Sequence, residues 1–159
     1  MSLVSPNTVA FPVDGRQSPT ALAVARGTQR LLLALGLSCV CELPLGSGRR
    51  ADLVGIAHDG DIWIVEIKSS IADFRVDQKW PDYRDYCDAL LFAVAPDFPA
   101  DILPADAGLI LADAYAGEVV RAAPRHPLTS ARRKAVTLSI ARGAAMRLLA
   151  RIDPGVGMD

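Results

Sequence analysis

Asp52, Glu66 and Lys68 are the residues of this chain best suited to chemistry. They lie in RRADLVGIAHDGDIWIVEIKSS, where Glu66 and Lys68 close a run that is otherwise almost wholly apolar. Burying charge is costly unless the charge is paired or holds a metal. Two carboxylates and an ammonium at the end of a buried strand therefore point to a divalent ion with a cationic helper. Oxygen donors of this kind suit Mg²⁺ or Mn²⁺. Asp52 and Glu66 would hold the ion, with the main-chain carbonyl of Ile67 as a further ligand. The ion would clamp a phosphate oxygen and acidify a bound water. Lys68 would orient that water or offset charge that builds in the transition state. The implied reaction is phosphodiester hydrolysis. The plainer alternative is a strand-end Glu–Lys pair beside an unrelated Asp.

The turn before the second strand decides whether the acids meet. A two-residue loop at Asp59-Gly60 would put Asp52 opposite Ile67, its carboxylate on the wrong side. A three-residue loop, His58-Asp59-Gly60 with Gly60 left-handed, pairs Ala57 with Asp61 and puts Asp52 opposite Glu66. The same register sets Leu53 against Val65, Val54 against Ile64, Gly55 against Trp63 and Ile56 against Ile62. Both faces are then apolar, and opposed Cβ atoms lie ~5 Å apart, close enough to share one cation.

These strands need a scaffold. Ser18-Pro19 predicts a helix start and Gly36 its end, with Val24, Thr28, Leu31, Leu32 and Leu35 on one face. Ser38 to Leu45 reads as a strand. A segment of mixed helix and turn follows Lys68, and Pro81 suits the first turn of a helix over PDYRDYCDA. Leu90 to Ala95, Gly108 to Ala112 and Glu118 to Ala122 read as strands. Thr129 or Ser130 caps a final helix whose apolar face is Leu138, Ala141, Ala145, Leu148, Leu149 and Ile152, with Arg133, Arg147 and Arg151 opposite. The expected architecture is one α/β domain over residues 18–153, a mixed sheet of five or six strands between helices. Residues 1–17 read as a flexible arm touching the core through Val9 and Phe11, and 154–159 as a tail.

Composition narrows the function. The chain has 159 residues, 51% hydrophobic, with a formal net charge of −1. That is enough for one domain with a real core. There is no apolar run of membrane-spanning length and no secretory leader pattern, so the expected location is cytoplasmic, beside the nucleoid. Cys39, Cys41 and Cys87 read as reduced thiols. With only His58 and His126, a zinc or Ser-His-Asp hydrolase is disfavoured. Charge is uneven: residues 52–118 carry fourteen acids and four Lys/Arg, and residues 119–159 carry eight Lys/Arg and two acids. This suggests a basic docking surface beside an acidic site, or simply a solvated helix face. Candidate DNA contacts are Arg49, Arg50, Lys79, Arg132, Arg133 and Lys134. Trp80 would stack on a base or pack in the core.

The Asp…Glu-x-Lys hairpin flanked by helices resembles the PD-(D/E)XK nuclease superfamily. More narrowly, RRADLVGI, IWIVEIKSS, ADFRVDQKWPDYRDYCD and LTSARRKAV resemble the MmcB family of alphaproteobacterial DNA-repair proteins, regarded as candidate endonucleases. The likeness runs from about Thr20 to Arg151. It implies a restriction-endonuclease-like core, DNA as partner, and a metal-dependent endonuclease acting in repair. Many superfamily members carry an acid on the first helix, and this chain has none between Asp14 and Glu42. Glu42 is the nearest substitute and Gln29 a weaker one. The missing acid supports a second reading, a DNA-binding repair accessory that does not cut. A third is a protein-interaction module using Val136 and Ile140 as exposed apolar residues between the final helix's arginines. A homodimer would suit two-strand cutting, and repair proteins are further candidate partners.

Overall fold

The computed structural model describes residues 17–156, so the expected core contacts of Val9 and Phe11 and the end of the tail lie outside the described residues. Six strands form one sheet in chain order: β1 (Leu37–Pro44), β2 (Arg50–Ala57), β3 (Ile62–Ile67), β4 (Ala89–Val94), β5 (Gly108–Ala112) and β6 (Gly117–Arg121). Pairing is antiparallel from β1 to β3, parallel from β3 to β5, and antiparallel between β5 and β6. The sheet is therefore mixed, as expected of an α/β domain.

Helix α1 (Pro19–Ala34) starts where Ser18 accepts the Ala21 N–H at 3.1 Å. It buries Val24, Ala25, Gly27, Thr28 and Leu32. Leu35 is exposed, because it is already the C-cap residue. Gly27 permits close approach to the β5–β6 turn: a Cβ there would lie 1.9 Å from the Asp113 carbonyl oxygen. The sheet face under α1 carries Leu53, Val65, Leu91 and Ile110. The opposite face carries Val54, Ile64 and Leu90, packed with Tyr83, Cys87, Val136 and Ile140. Strand alternation distributes the two sets, and β4 is buried throughout, as a central parallel strand should be.

Between β3 and β4 the chain forms a short helix α2 (Ile71–Val76) and a 3₁₀ turn (Trp80–Tyr86), where an ordinary helix was expected. Pro81 sits in the first turn of this segment. After β6, Thr129 caps α3 (Ser130–Ile152) by accepting the Arg132 N–H at 3.2 Å.

The packed face of α3 differs from the expected one. Val136 and Ile140 are its buried residues, while Leu138, Leu148, Leu149 and Ile152 are exposed. Val136 and Ile140 are therefore core residues and cannot serve as an exposed interaction surface. Arg133 and Arg147, expected on the solvent side, face the protein. Arg147 donates to the carbonyls of Cys41 and Glu42, the latter at 2.7 Å. Arg133 reaches the buried Asp88 carboxylate through both terminal nitrogens, at 2.7 and 2.6 Å. That carboxylate also accepts the N–H groups of Ile62 (2.8 Å) and Leu128 (2.9 Å). Burial alone would raise its pKa, but Arg133 and the two amides hold it well below the usual carboxylate range. The three thiols are free, and burial pushes Cys39 and Cys87 up to about 12. They are inert thiols in this setting.

Candidate active site

The β2–β3 loop sets the site. The Ala57 N–H donates to Asp61 O at 2.9 Å, the Gly60 N–H donates to Ala57 O at 2.9 Å, and Gly60 has a φ of +89°. The three-residue loop is present, and the register pairs Leu53 with Val65, Val54 with Ile64, Gly55 with Trp63 and Ile56 with Ile62. Asp52 and Glu66 consequently meet at the far end of the hairpin. The Asp52 N–H donates to Glu66 Oε1 at 3.1 Å, and the Ile67 N–H donates to Asp52 Oδ2 at 2.8 Å.

Both acids are under electrostatic stress. Desolvation raises the Asp52 carboxyl above its ordinary pKa, opposed by the Ile67 amide and Lys68. Desolvation and the neighbouring Asp52 push Glu66 well above the carboxylate range. Two adjacent, half-sheltered carboxylates of this kind share a proton or a cation. Lys68, 5% exposed, donates to Asp77 Oδ2 at 2.6 Å. Burial alone would lower its pKa, but the bond to Asp77 and the negative charges of Asp77, Glu66 and Asp73 raise it, so it is a cation.

Asp73 and Asp77 were missed by the sequence reading. Asp73 had a signal: Ser70-x-x-Asp73 is a capping pattern, in which Ser70 accepts the Asp73 N–H at 3.0 Å and Asp73 accepts the Ser69 N–H at 3.1 Å. Asp77 follows the helix as its C-cap, a position that announces no role.

Glu42 stands beside this group in an unusual backbone state, with φ of +51°. A non-glycine residue in that region costs roughly 1–2 kcal/mol. The two carbonyls held by Arg147 lie on either side of this kink. Gln17 Nε2 donates to Glu42 Oε1 at 3.0 Å. Arg50 Nε lies 2.5 Å from Glu42 Oε2 as an ion pair, but out of hydrogen-bond alignment, so that buried oxygen has no hydrogen-bond partner. Gln29, the weaker substitute, is instead committed to Cys41 Sγ at 2.7 Å.

Asp52, Glu66, Ile67, Lys68, Asp73, Asp77, Arg50, Ser69, Gln17 and Tyr83 line one open cleft of about 320 Å³. Its donors are hard oxygens. Among the described residues, no group of three or more His, Cys, Asp or Glu side chains is arranged to hold a metal. The residues that could hold a cation here are the two carboxylates Asp52 and Glu66, with the Ile67 carbonyl as the further donor expected from the sequence. Mg²⁺ suits such a set, because it retains several waters rather than demanding a full protein cage. Glu42 does not complete such a group: its carboxylate faces Arg50 and Gln17.

A family model described as DNA repair protein MmcB-like matches residues 9–155. The chain belongs to the MmcB-like DNA repair protein family. A solved structure described as a protein of unknown function from Silicibacter pomeroyi is 44% identical, with a TM-score of 0.84 over 89% of this chain and 98% of that one. No curated protein matches the chain.

For an MmcB-like protein, the expected DNA contacts divide. Lys79, Arg132 and Lys134 are exposed. Arg132 lies over the Tyr86 ring, 4.5 Å from its centroid. Arg49 pairs with Asp82 at 2.8 Å and Arg50 with Glu42, both at the surface beside the cleft. Arg133 is spent on Asp88 and Gly60 O, which removes it from the set. Trp80 packs edge-on against Phe92, 5.6 Å between centroids, so its ring serves the core. The uneven charge also has a structural account. Arg125 and Arg133, from the basic segment, pair with Asp61 and Asp88 of the acidic one. Four of the eight cations in that basic segment are thus engaged by groups of the protein itself: Arg121 and Arg147 likewise hold main-chain carbonyls. No helix among the described residues is long and apolar enough to cross a membrane.

Proposed function

We propose that this MmcB-like protein is a metal-dependent DNA endonuclease that acts in repair by hydrolysing phosphodiester bonds. One observation carries the reading. Asp52 and Glu66 are brought together, partly desolvated, at the mouth of a cleft that also holds the Lys68 ammonium. Such mutually strained groups in a cleft mark functional sites more often than structural ones. Asp52, Glu66 and the Ile67 carbonyl would hold Mg²⁺ or Mn²⁺, which supplies Lewis-acid stabilisation and a more acidic water. Lys68 stays protonated and donates toward the phosphoryl oxygens or the water. Asp77 fixes the direction of its ammonium. Arg50, at the rim of the cleft, would meet a backbone phosphate.

The test is cleavage of end-labelled single-stranded, duplex, flap and four-way-junction DNA with Mg²⁺ or Mn²⁺. Wild type should cut, and a Glu66→Ala/Lys68→Ala variant should bind but not cut. A Glu66→Ala protein that cuts at the wild-type rate defeats the assignment. A second reading, a DNA-binding accessory without catalysis, is favoured by the limited acid set: Glu42 is turned to Arg50 and Gln17. DNA binding without cutting by wild type, and without metal binding at Asp52 and Glu66, selects it.

A further inference from the structure

Leu138, Ala141, Ala145, Leu148 and Ile152 recur at intervals of three, four, three and four along α3. All five are exposed, and Leu149 and Met146 border them. The stripe lies on the side of α3 away from Val136 and Ile140. In its second half the helix meets the body through Gly143, where a Cβ would lie 3.1 Å from a Leu43 methyl, and through Arg147 on the β1 carbonyls. An isolated helical segment so thinly supported is marginal in water.

The spacing identifies the kind of occupant. Alternating three- and four-residue steps form the seam of two helices packed at a shallow angle, each side chain entering a hole on the partner. A lipid surface needs no such register. The stripe also complements itself. Turned antiparallel about the point between Met146 and Arg147, it sets Ala141 against Ile152 and Ala145 against Leu148, small against large. Charge selects the same arrangement. Helix α3 has six cations and no acid. Parallel pairing would stack Arg132-Arg133-Lys134 against its copy. Antiparallel pairing separates the two Lys134 residues by roughly 40 Å along the axis, several Debye lengths. The exposed patch is on the order of 500 Å² per copy, so a pair buries about 1,000 Å², the lower bound for a specific interface.

We propose that this stripe is a self-association surface, and that two copies form a twofold dimer by pairing their α3 helices antiparallel about the point between Met146 and Arg147. The dimer is reversible. Its two-fold axis crosses a helix whose other side holds the Glu42 kink through Arg147.

Sedimentation velocity from micromolar to millimolar protein should show a monomer–dimer equilibrium. Ala145→Glu and Ile152→Glu should each shift it to monomer without lowering the melting temperature, because both side chains are exposed in the single chain. Val120→Glu, exposed on β6, should leave it unchanged. Ala145→Cys/Leu148→Cys should form a disulfide-linked dimer under oxidised glutathione, because the twofold sets position 145 of one copy against position 148 of the other. Leu138→Cys and wild type should not. A protein that stays monomeric at millimolar concentration, or a dimer that survives Ala145→Glu, overturns the proposal. A monomer that floats with anionic vesicles overturns it too, and gives the stripe to a lipid surface.

Discussion

Strand β3 has a buried carboxylate cluster at each end, and the two behave in opposite ways. At its start, Asp88 accepts four hydrogen bonds from Ile62, Leu128 and the fork of Arg133, and its carboxyl is held far below the ordinary range. At its finish, Asp52 and Glu66 face each other, and both carboxyls are raised. Burial is common to the two clusters. What differs is whether each charge has a full set of partners. A satisfied buried acid is an anchor. A pair of acids left short of positive charge is a candidate site for a cation or a shared proton.

The comparison can be broken most severely at the anchor. Asp88→Ala strands part of the Arg133 guanidinium and two amides, and should cost ~3–5 kcal/mol in urea unfolding. The other end should respond to metal instead. Mg²⁺ or Mn²⁺ at about a hundredfold excess over its dissociation constant should stabilise wild type by ~2.7 kcal/mol, lost on chelation and absent in Glu66→Gln.

Acid should also separate the ends. The folded Asp88 carboxyl lies below its unfolded value of ~3.9. Between those values the unfolded chain binds more protons, so stability rises with pH there. It is lost as pH falls through the folded pKa. An Asp88→Asn variant should therefore show a flatter acid limb below about pH 4 in pH-dependent thermal melts.

Asp52→Asn reverses the usual sign of a buried substitution. It keeps an oxygen for the Ile67 amide and relieves the desolvation of a crowded carboxylate pair, so stability should rise by ~1 kcal/mol in denaturant titration while the proposed cleavage is lost. The smallest effect belongs to the exposed cations. Arg132→Ala should change stability by less than ~0.5 kcal/mol. It should lower the salt-dependence slope of DNA binding by about one if it meets a phosphate.

Local rules made the working end legible. The three-residue loop, the left-handed Gly60 and the alternation of Leu53, Val54, Ile64 and Val65 admit one register that keeps both faces apolar, and that register joins Asp52 to Glu66. The capped ends of α1 and α3 were equally local. What stayed hidden depended on distant partners. Helix α3 carries two apolar stripes, and the larger one is not the buried one. The sheet takes the narrower Val136–Ile140 stripe because Arg133 and Arg147 beside it find Asp88 and two carbonyls. Periodicity cannot reveal that two arginines belong on the inner side. Asp77 escaped notice for the same reason, since only the fold sets it beside Lys68.

The six strands stand in the sheet in the order in which they are synthesised. No strand must be inserted between two that have already paired. Among the described residues, those lining the cleft all fall between Gln17 and Tyr83. The wall of the cleft can therefore assemble while the remainder is still on the ribosome, where chains emerge at ~5–20 residues per second. Helix α3 follows all six strands in the chain. Pulse-labelled hydrogen exchange during refolding should protect the amides of β2 and β3 before those of α3. Early protection of α3 would contradict this order.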